Sequence, residues 1–286
     1  MTDWRASLGQ FGVWESGRTF DTDLAPELER LGYGALWLGS QPGDLEVVEQ
    51  ILDATQNLVV ATGIVSILTV QPRTLAESYH RVVEAHPGRL LLGVGVGHPE
   101  RAPGTEWRPY SALSEFLDGL DAAGVPVSER VLAALGPRVL RLSAERSAGA
   151  HPYLVTPEHT REARGILGAG PLLAPEQRVV LRTDPAEARA IGGPTVATPY
   201  LGLRNYRESL RRLGYTDDDL ADGGSDRLLD DLVVSGDAAA VVAGLRRHLD
   251  AGADHVAVHL IPGPGDDVLA GYAAIAEAAG VTPADG

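Results

Sequence analysis

RTLAESYHRVVEAHPGRLLLGVGVGHPE, residues 73–100, decides the fold: an amphipathic stretch at 73–86, a Pro-Gly break, then a Val/Leu-rich run at 89–96 that ends in alternating glycines. The same unit extends in both directions along the chain. Short apolar runs rich in Val, Leu or Ile occur at 8–14, 35–39, 58–67, 89–96, 130–135, 151–155, 177–182 and 254–261, and each reads as a strand. Amphipathic segments at 44–56, 73–86, 137–149 and 237–253 read as helices, with Thr74 and Asp237 as candidate N-caps. Eight strand-then-helix units predict a closed α/β fold, the (β/α)8 TIM barrel, ahead of an open doubly wound sheet. Residues 191–236 are too long for a simple connection. With a helical core near 203–213, they form an insertion between strand 7 and helix 8 and lie at the mouth as a lid or interface, or serve only as packing. At 286 residues, with no linker or low-complexity tract, the chain is expected to be a single domain over 1–286.

Composition removes several chemistries. Cysteine is absent, which excludes disulfides, thiolate nucleophiles and iron–sulfur ligation. All 24 basic residues are arginine, so Schiff-base and phosphate-loop lysine chemistry are excluded as well. A net charge of −15 opposes nonspecific binding to nucleic acid or an anionic membrane, and no apolar run approaches a bilayer span. The first residues lack an export signal, and a cytoplasmic location is expected. Any redox chemistry must come from a bound coenzyme.

Three motifs carry chemistry. GVGVGHPE at 93–100 ends a strand with Gly93, Gly95 and Gly97, where a ligand can approach the backbone closely, although the spacing fails the dinucleotide fingerprint. His98, at the catalytic end of that strand, has an unperturbed pKa of about 6.5 and is the acid–base candidate, with a structural role as the alternative. At 132–140, LAALGPRVL runs from a strand through Leu135-Gly136-Pro137 into a helix. The free amides there, with Arg138 nearby, suit a phosphate or simply form a βα turn with proline at the first helical position. Finally, HVAVH places His255 and His259 on one face of the last strand. His255, at the strand's beginning, reads as structural and His259 as a pocket residue. No convergent carboxylates support a metal site.

Taken together, LGYGALWLGS (31–40), ATGIVSIL (61–68), 77–100, 132–160 and 235–260 resemble the bacterial luciferase-like monooxygenase superfamily over nearly the whole chain, and within it the deazaflavin (coenzyme F420)-dependent oxidoreductases. The resemblance implies a luciferase-like TIM barrel and a non-proline cis peptide at Gly63-Ile64 behind the coenzyme ring. It also implies a phosphate site at Leu135-Gly136-Pro137 with Arg138. Trp14, Gly39, Gly95, Gly97, His151, Tyr153, Val155 and Thr156 are then expected around the ring and its side arm, and Ser40 and His259 on the substrate side. Related sugar-phosphate dehydrogenases have a glutamate where this chain has His98, and an Asp-His pair where it has Gly39-Ser40-Gln41, which argues against sugar-phosphate oxidation. The implied activity is hydride transfer between F420 and a small-molecule substrate, in a homodimer. FMN-dependent monooxygenation, with FMN in the same site, and non-catalytic F420 binding are the alternatives. An acidic F420 tail would favour an arginine-lined exit, for which Arg73 and Arg138 are candidates.

Overall fold

Alternation along each strand decides which side chains fill the interior, and the computed structural model, which describes residues 2–97 and 108–282, arranges the strands as that alternation requires. The barrel strands are β1 (Phe11–Ser16), β2 (Ala35–Gly39), β3 (Val59–Thr62), β4 (Leu90–Gly95), β5 (Arg130–Leu132), β6 (Gly149–Ala150), β7 in two ladder segments (Leu172–Leu173 and Glu176–Val180) and β8 (Val256–Leu260). They pair in parallel in that order, and β8 returns to β1. Closure runs through β7: its segment Leu172–Leu173 pairs with β6, the Glu176 amide at the start of the next segment donates to Pro152 O just past β6 at 2.9 Å, and the other edge of Glu176–Val180 pairs with β8. The result is the luciferase-like TIM-barrel architecture.

Inward positions place Trp14, Trp37, Ala61, Leu91, Val131, Ala174 and Ala257 in one buried cluster. Outward positions such as Val13, Leu36, Val60, Leu92, Leu132 and Val258 pack under the surrounding helices. Asp237 caps the helix Ala238–Asp250 by accepting from the Ala240 amide at 2.9 Å. The insertion buries a cluster of its own, including Val196, Leu201, Tyr206, Leu210, Leu228 and Leu232. Its helix Arg204–Arg212 matches the expected helical core, and its strand Val233–Ser235 pairs with the upper half of β7.

Several boundaries differ from the sequence-based expectation. Residues 4–8 form a helix capped by Asp3, and Gly9 at φ 68° ends it, so β1 begins at Phe11 rather than at residue 8. Thr74 is not an N-cap, because Pro72 takes the first helical position and moves the cap to Gln71. The sixth strand is Gly149–Ala150 instead of 151–155. Pro152 has no N–H for a ladder, and Leu154 at φ 54° turns the chain. The seventh strand starts earlier than 177, and the start of the supposed insertion belongs to a helix, Pro185–Ala197, capped by Asp184.

Candidate functional site

The uppermost inward layer of the barrel has two unlike halves. On β2, β3, β4 and β5 it consists of Gly39, Gly63 just past β3, Gly95 and Ala133. A Cβ on Gly63 would stand 3.0 Å from both Trp14 Nε1 and His151 Nε2, and one on Gly95 would stand 2.8 Å from the Ala133 methyl. The Gly63-Ile64 peptide is cis, as the resemblance implied, and Ile64 O accepts from the Gln41 amide at 3.2 Å. The other half is a wall of large polar and aromatic side chains, namely Trp14 on β1, Tyr153 after β6, Glu176 and Arg178 on β7, and His259 on β8.

Glu176 is fully buried, and its two oxygens are both held. Oε1 accepts from His259 Nδ1 at 2.8 Å, and Oε2 accepts from the Leu154 amide at 3.0 Å. Leu154 donates from a left-handed conformation that costs a branched residue roughly 1–2 kcal/mol. Burial alone would push the Glu176 carboxyl up, but the His259 hydrogen bond and the Arg178 guanidinium, whose Nε lies 3.5 Å away, outweigh it and hold the carboxyl below its ordinary value. Burial likewise pulls His259 down, against the carboxylate beside it, so the imidazole is neutral near pH 7. Arg178 donates to Tyr153 Oη at 2.8 Å and to Thr195 O at 2.5 Å, with the rings of Tyr153 and Tyr200 5.2 and 4.9 Å from its guanidinium carbon. Trp14 closes the group, 4.3 Å from His259 and 4.9 Å from Tyr153 between ring centres.

Below this layer, His151 stacks on Trp37 at 4.1 Å and donates from Nδ1 to Ala174 O at 2.6 Å. Burial lowers its pKa to about 4, so it is neutral, and its Nε2 has no partner. His255 sits deeper, as expected of a structural residue. It donates to Gly9 O at 2.8 Å and accepts from Trp37 Nε1 at 3.0 Å.

The remaining sequence-based candidates lie along the rim. Gly136 precedes the helix Pro137–Arg146 without a side-chain cap, and the space where its Cβ would be is empty to 4 Å. Leu135 O accepts from His159 Nε2 at 2.9 Å, and the Arg138 guanidinium lies 4.1 Å over the Tyr110 ring. The Thr156 hydroxyl is buried and caps its own helix by accepting from the His159 amide at 3.4 Å. Val155 is buried beside it. Gly97 is left-handed at φ 73°, against Ser66, and Ser40 is exposed at φ 55°. Arg73 is exposed beside Glu77. His98 lies outside the described residues.

Thus Trp14, Gly39, Gly63, Ile64, Gly95, His151, Tyr153 and His259 converge on the mouth, while Leu135, Gly136, Pro137, Arg138 and Thr156 belong to the adjoining rim. Sequence reasoning passed over Glu176 and Arg178, whose i, i+2 spacing shows only that they share one face of the strand. Gln41, named from sequence only as a departure from the Asp-His pair, has a buried side-chain amide with both polar atoms unpartnered.

Residues 19–124 match the family model for luciferase-like monooxygenase. No curated protein matches the chain. Similar solved structures include apo-MsnO8, at 18% identity and a TM-score of 0.71, covering 96% of this chain and 99% of that one. Another is an F420-dependent secondary alcohol dehydrogenase in complex with an F420-acetone adduct, at 14% identity and 0.70, with 96% and 99% covered. A third is the oxygenating constituent of 3,6-diketocamphane monooxygenase from Pseudomonas putida with FMN, at 16% identity and 0.65, with 87% and 91% covered. Residues 19–124 therefore match the luciferase-like monooxygenase model, and the chain shares the fold of these structures over nearly its whole length.

Proposed function

We propose that this chain is an oxidoreductase that binds coenzyme F420 in the barrel mouth and exchanges a hydride between it and a small organic substrate. The observation that carries this reading is the two-sided upper layer, in which the rings of Trp14 and His151 pack directly on backbone at Gly39 and Gly63, beside a polar and aromatic wall of Tyr153, Arg178 and His259. Glycines are where a flat ring can lie against backbone, and polar groups at one edge can orient a flat heterocycle. These residues fit a ring coenzyme, which when bound supplies the hydride chemistry that no amino-acid side chain provides.

In this reading Gly63-Ile64 backs the ring, and Trp14, Gly95, His151 and Tyr153 surround it. Gly97 and Thr156 lie toward its side arm. The uncapped turn Leu135-Gly136-Pro137, with Arg138, holds a phosphate through amides aligned with the helix axis. Ser40 and His259 face the substrate, and the sequence-based candidate for the proton is His98. The chain works as one luciferase-like unit over 1–286, as a homodimer in the cytoplasm. Among the described residues, no helix is long and apolar enough to cross a membrane.

Titrating the purified chain side by side with F420 and FMN, followed by fluorescence or calorimetry, tests the reading. Saturable F420 binding at micromolar concentration is expected, with weaker FMN binding. Tight FMN binding without F420 binding replaces the deazaflavin with a flavin and favours monooxygenation. F420 binding without turnover of alcohols, ketones, enones or imines favours a non-catalytic carrier.

A further inference from the structure

Among the described residues, the four buried histidines and the nearly buried His259 are not equivalent. His255 and His248 have both ring nitrogens hydrogen-bonded, His248 to Thr160 and Gln177. His151 and His159 each have one nitrogen on a carbonyl and the other sealed in without a partner. His259 differs from all four. One nitrogen is fixed by a carboxylate, and the other, Nε2, has no hydrogen-bond partner among the described residues and is not one of the sealed-in atoms. Its side chain keeps 14% of its surface exposed, whereas Glu176 beneath it keeps none.

We propose that His259, oriented by Glu176, is the acid–base group of the mouth, with its Nε2 taking the proton of a substrate hydroxyl or returning it to a carbonyl oxygen. The proposal rests on the coenzyme-binding reading above. Glu176 is a positioning residue. With Oε2 pinned by the Leu154 amide and Oε1 on Nδ1, it imposes the tautomer in which Nδ1 carries the proton and Nε2 the lone pair. Arg178 on the same strand balances the carboxylate charge, so the imidazole stays neutral and able to accept. Trp14 and Tyr153 hold the ring from the sides, 4.3 and 6.5 Å away.

The step balances as an alcohol oxidation. The substrate O–H bond breaks and its proton passes to Nε2. The oxygen's electron pair forms the carbonyl π bond, and the C–H electron pair leaves with hydrogen as hydride to an oxidised deazaflavin. The imidazolium then forms with Nδ1–H still on Glu176, and Glu176, Arg178 and Tyr153 are the titratable groups that face it. In the opposite direction the imidazolium would return its proton to the carbonyl oxygen, with the hydride supplied by a reduced deazaflavin.

Two measurements test the proposal. In the first, a chain with 15N-labelled histidine and no coenzyme is examined by NMR near pH 7.5, with the His259 resonances assigned by their loss in His259→Gln. A pure Nδ1–H tautomer is expected, and Glu176→Gln should blur it while Glu176→Asp partly restores it. An imidazolium or an Nε2–H tautomer in the wild-type chain overturns the assignment. In the second, wild type, His259→Gln and His98→Ala are compared for F420 affinity and for oxidation of a panel of secondary alcohols. His259→Gln should bind F420 within about threefold of wild type and lose about 10²–10⁴-fold in turnover, with the acid limb of the pH profile altered. Wild-type-like turnover by His259→Gln, with loss in His98→Ala, overturns the proposal while the coenzyme reading stands. A wild-type chain that binds neither F420 nor FMN overturns that reading and this proposal with it.

Discussion

Trp37 joins two buried histidines, lying flat on His151 and donating to His255 from its indole nitrogen. Trp37→Phe keeps most of the stacking surface but leaves His255 Nε2 buried without a donor. A loss of about 1–3 kcal/mol is expected in urea unfolding, since an unmet buried polar atom bears its full desolvation cost. Single residues were legible where a pattern surrounded them. His255 read as structural because it begins its strand, and of the alternate glycines Gly93, Gly95 and Gly97 the middle one falls in the upper layer. Glu176 was not legible because a charge in a strand looks the same in sequence whether it faces water or a barrel interior. Its burial follows from which strands stand on either side, which only closure decides.

Two helix starts give the element scale a matched pair. Asp237 caps Ala238–Asp250 through its carboxylate, so Asp237→Ala should cost about 0.5–2 kcal/mol. Gln71 occupies the cap position of Pro72–Ala85 in an extended conformation, without a side-chain bond. Gln71→Asp should therefore stabilise by up to roughly 1 kcal/mol, read as a rise in Tm. If the two substitutions shift Tm in the same direction, the capping geometry is wrong. Element type was legible from apolar periodicity, and β2 falls at 35–39 as read. Element ends were legible only where a single residue acts alone. HPYLV at 151–155 has strand-like residues, but Pro152 and the left-handed Leu154 withdraw it from the ladder.

At the scale of the whole molecule, buried imidazoles set the acid limit. His151, His248 and His255 are each pulled by burial to about 4, so the folded chain resists protons that the unfolded chain takes up near 6.5. Their contribution is complete at neutral pH and is lost as pH falls from about 6.5 to 4. Glu15 works the other way. Burial, opposed by a hydrogen bond from Tyr272, raises it to about 7, so its stabilising share is lost as pH rises from 4.5 through 7. The three histidines outnumber it, and burial lowers His159 and His259 in the same sense, so the unfolded chain binds more protons through this window and stability falls as the pH does. Tm measured from pH 7 down to pH 4.5 should therefore fall steeply, and a flat profile would contradict the neutral buried imidazoles. The eight-fold repeat was legible from the alternation of segments. The extra strand at Val233–Ser235 was not, because its pairing depends on an insertion that folds back on β7.

That insertion gives β7 a different neighbour with height. Near the base, β6 lies against β7, whereas higher up Val233–Ser235 occupies the same edge of β7. Val233–Ser235 pairs with no second strand among the described residues, so the ladder ends there in a free edge. That seam adjoins Arg178, with the rings of Tyr153 and Tyr200 on its guanidinium, and this side of the mouth is held by side chains where the base is held by backbone pairing.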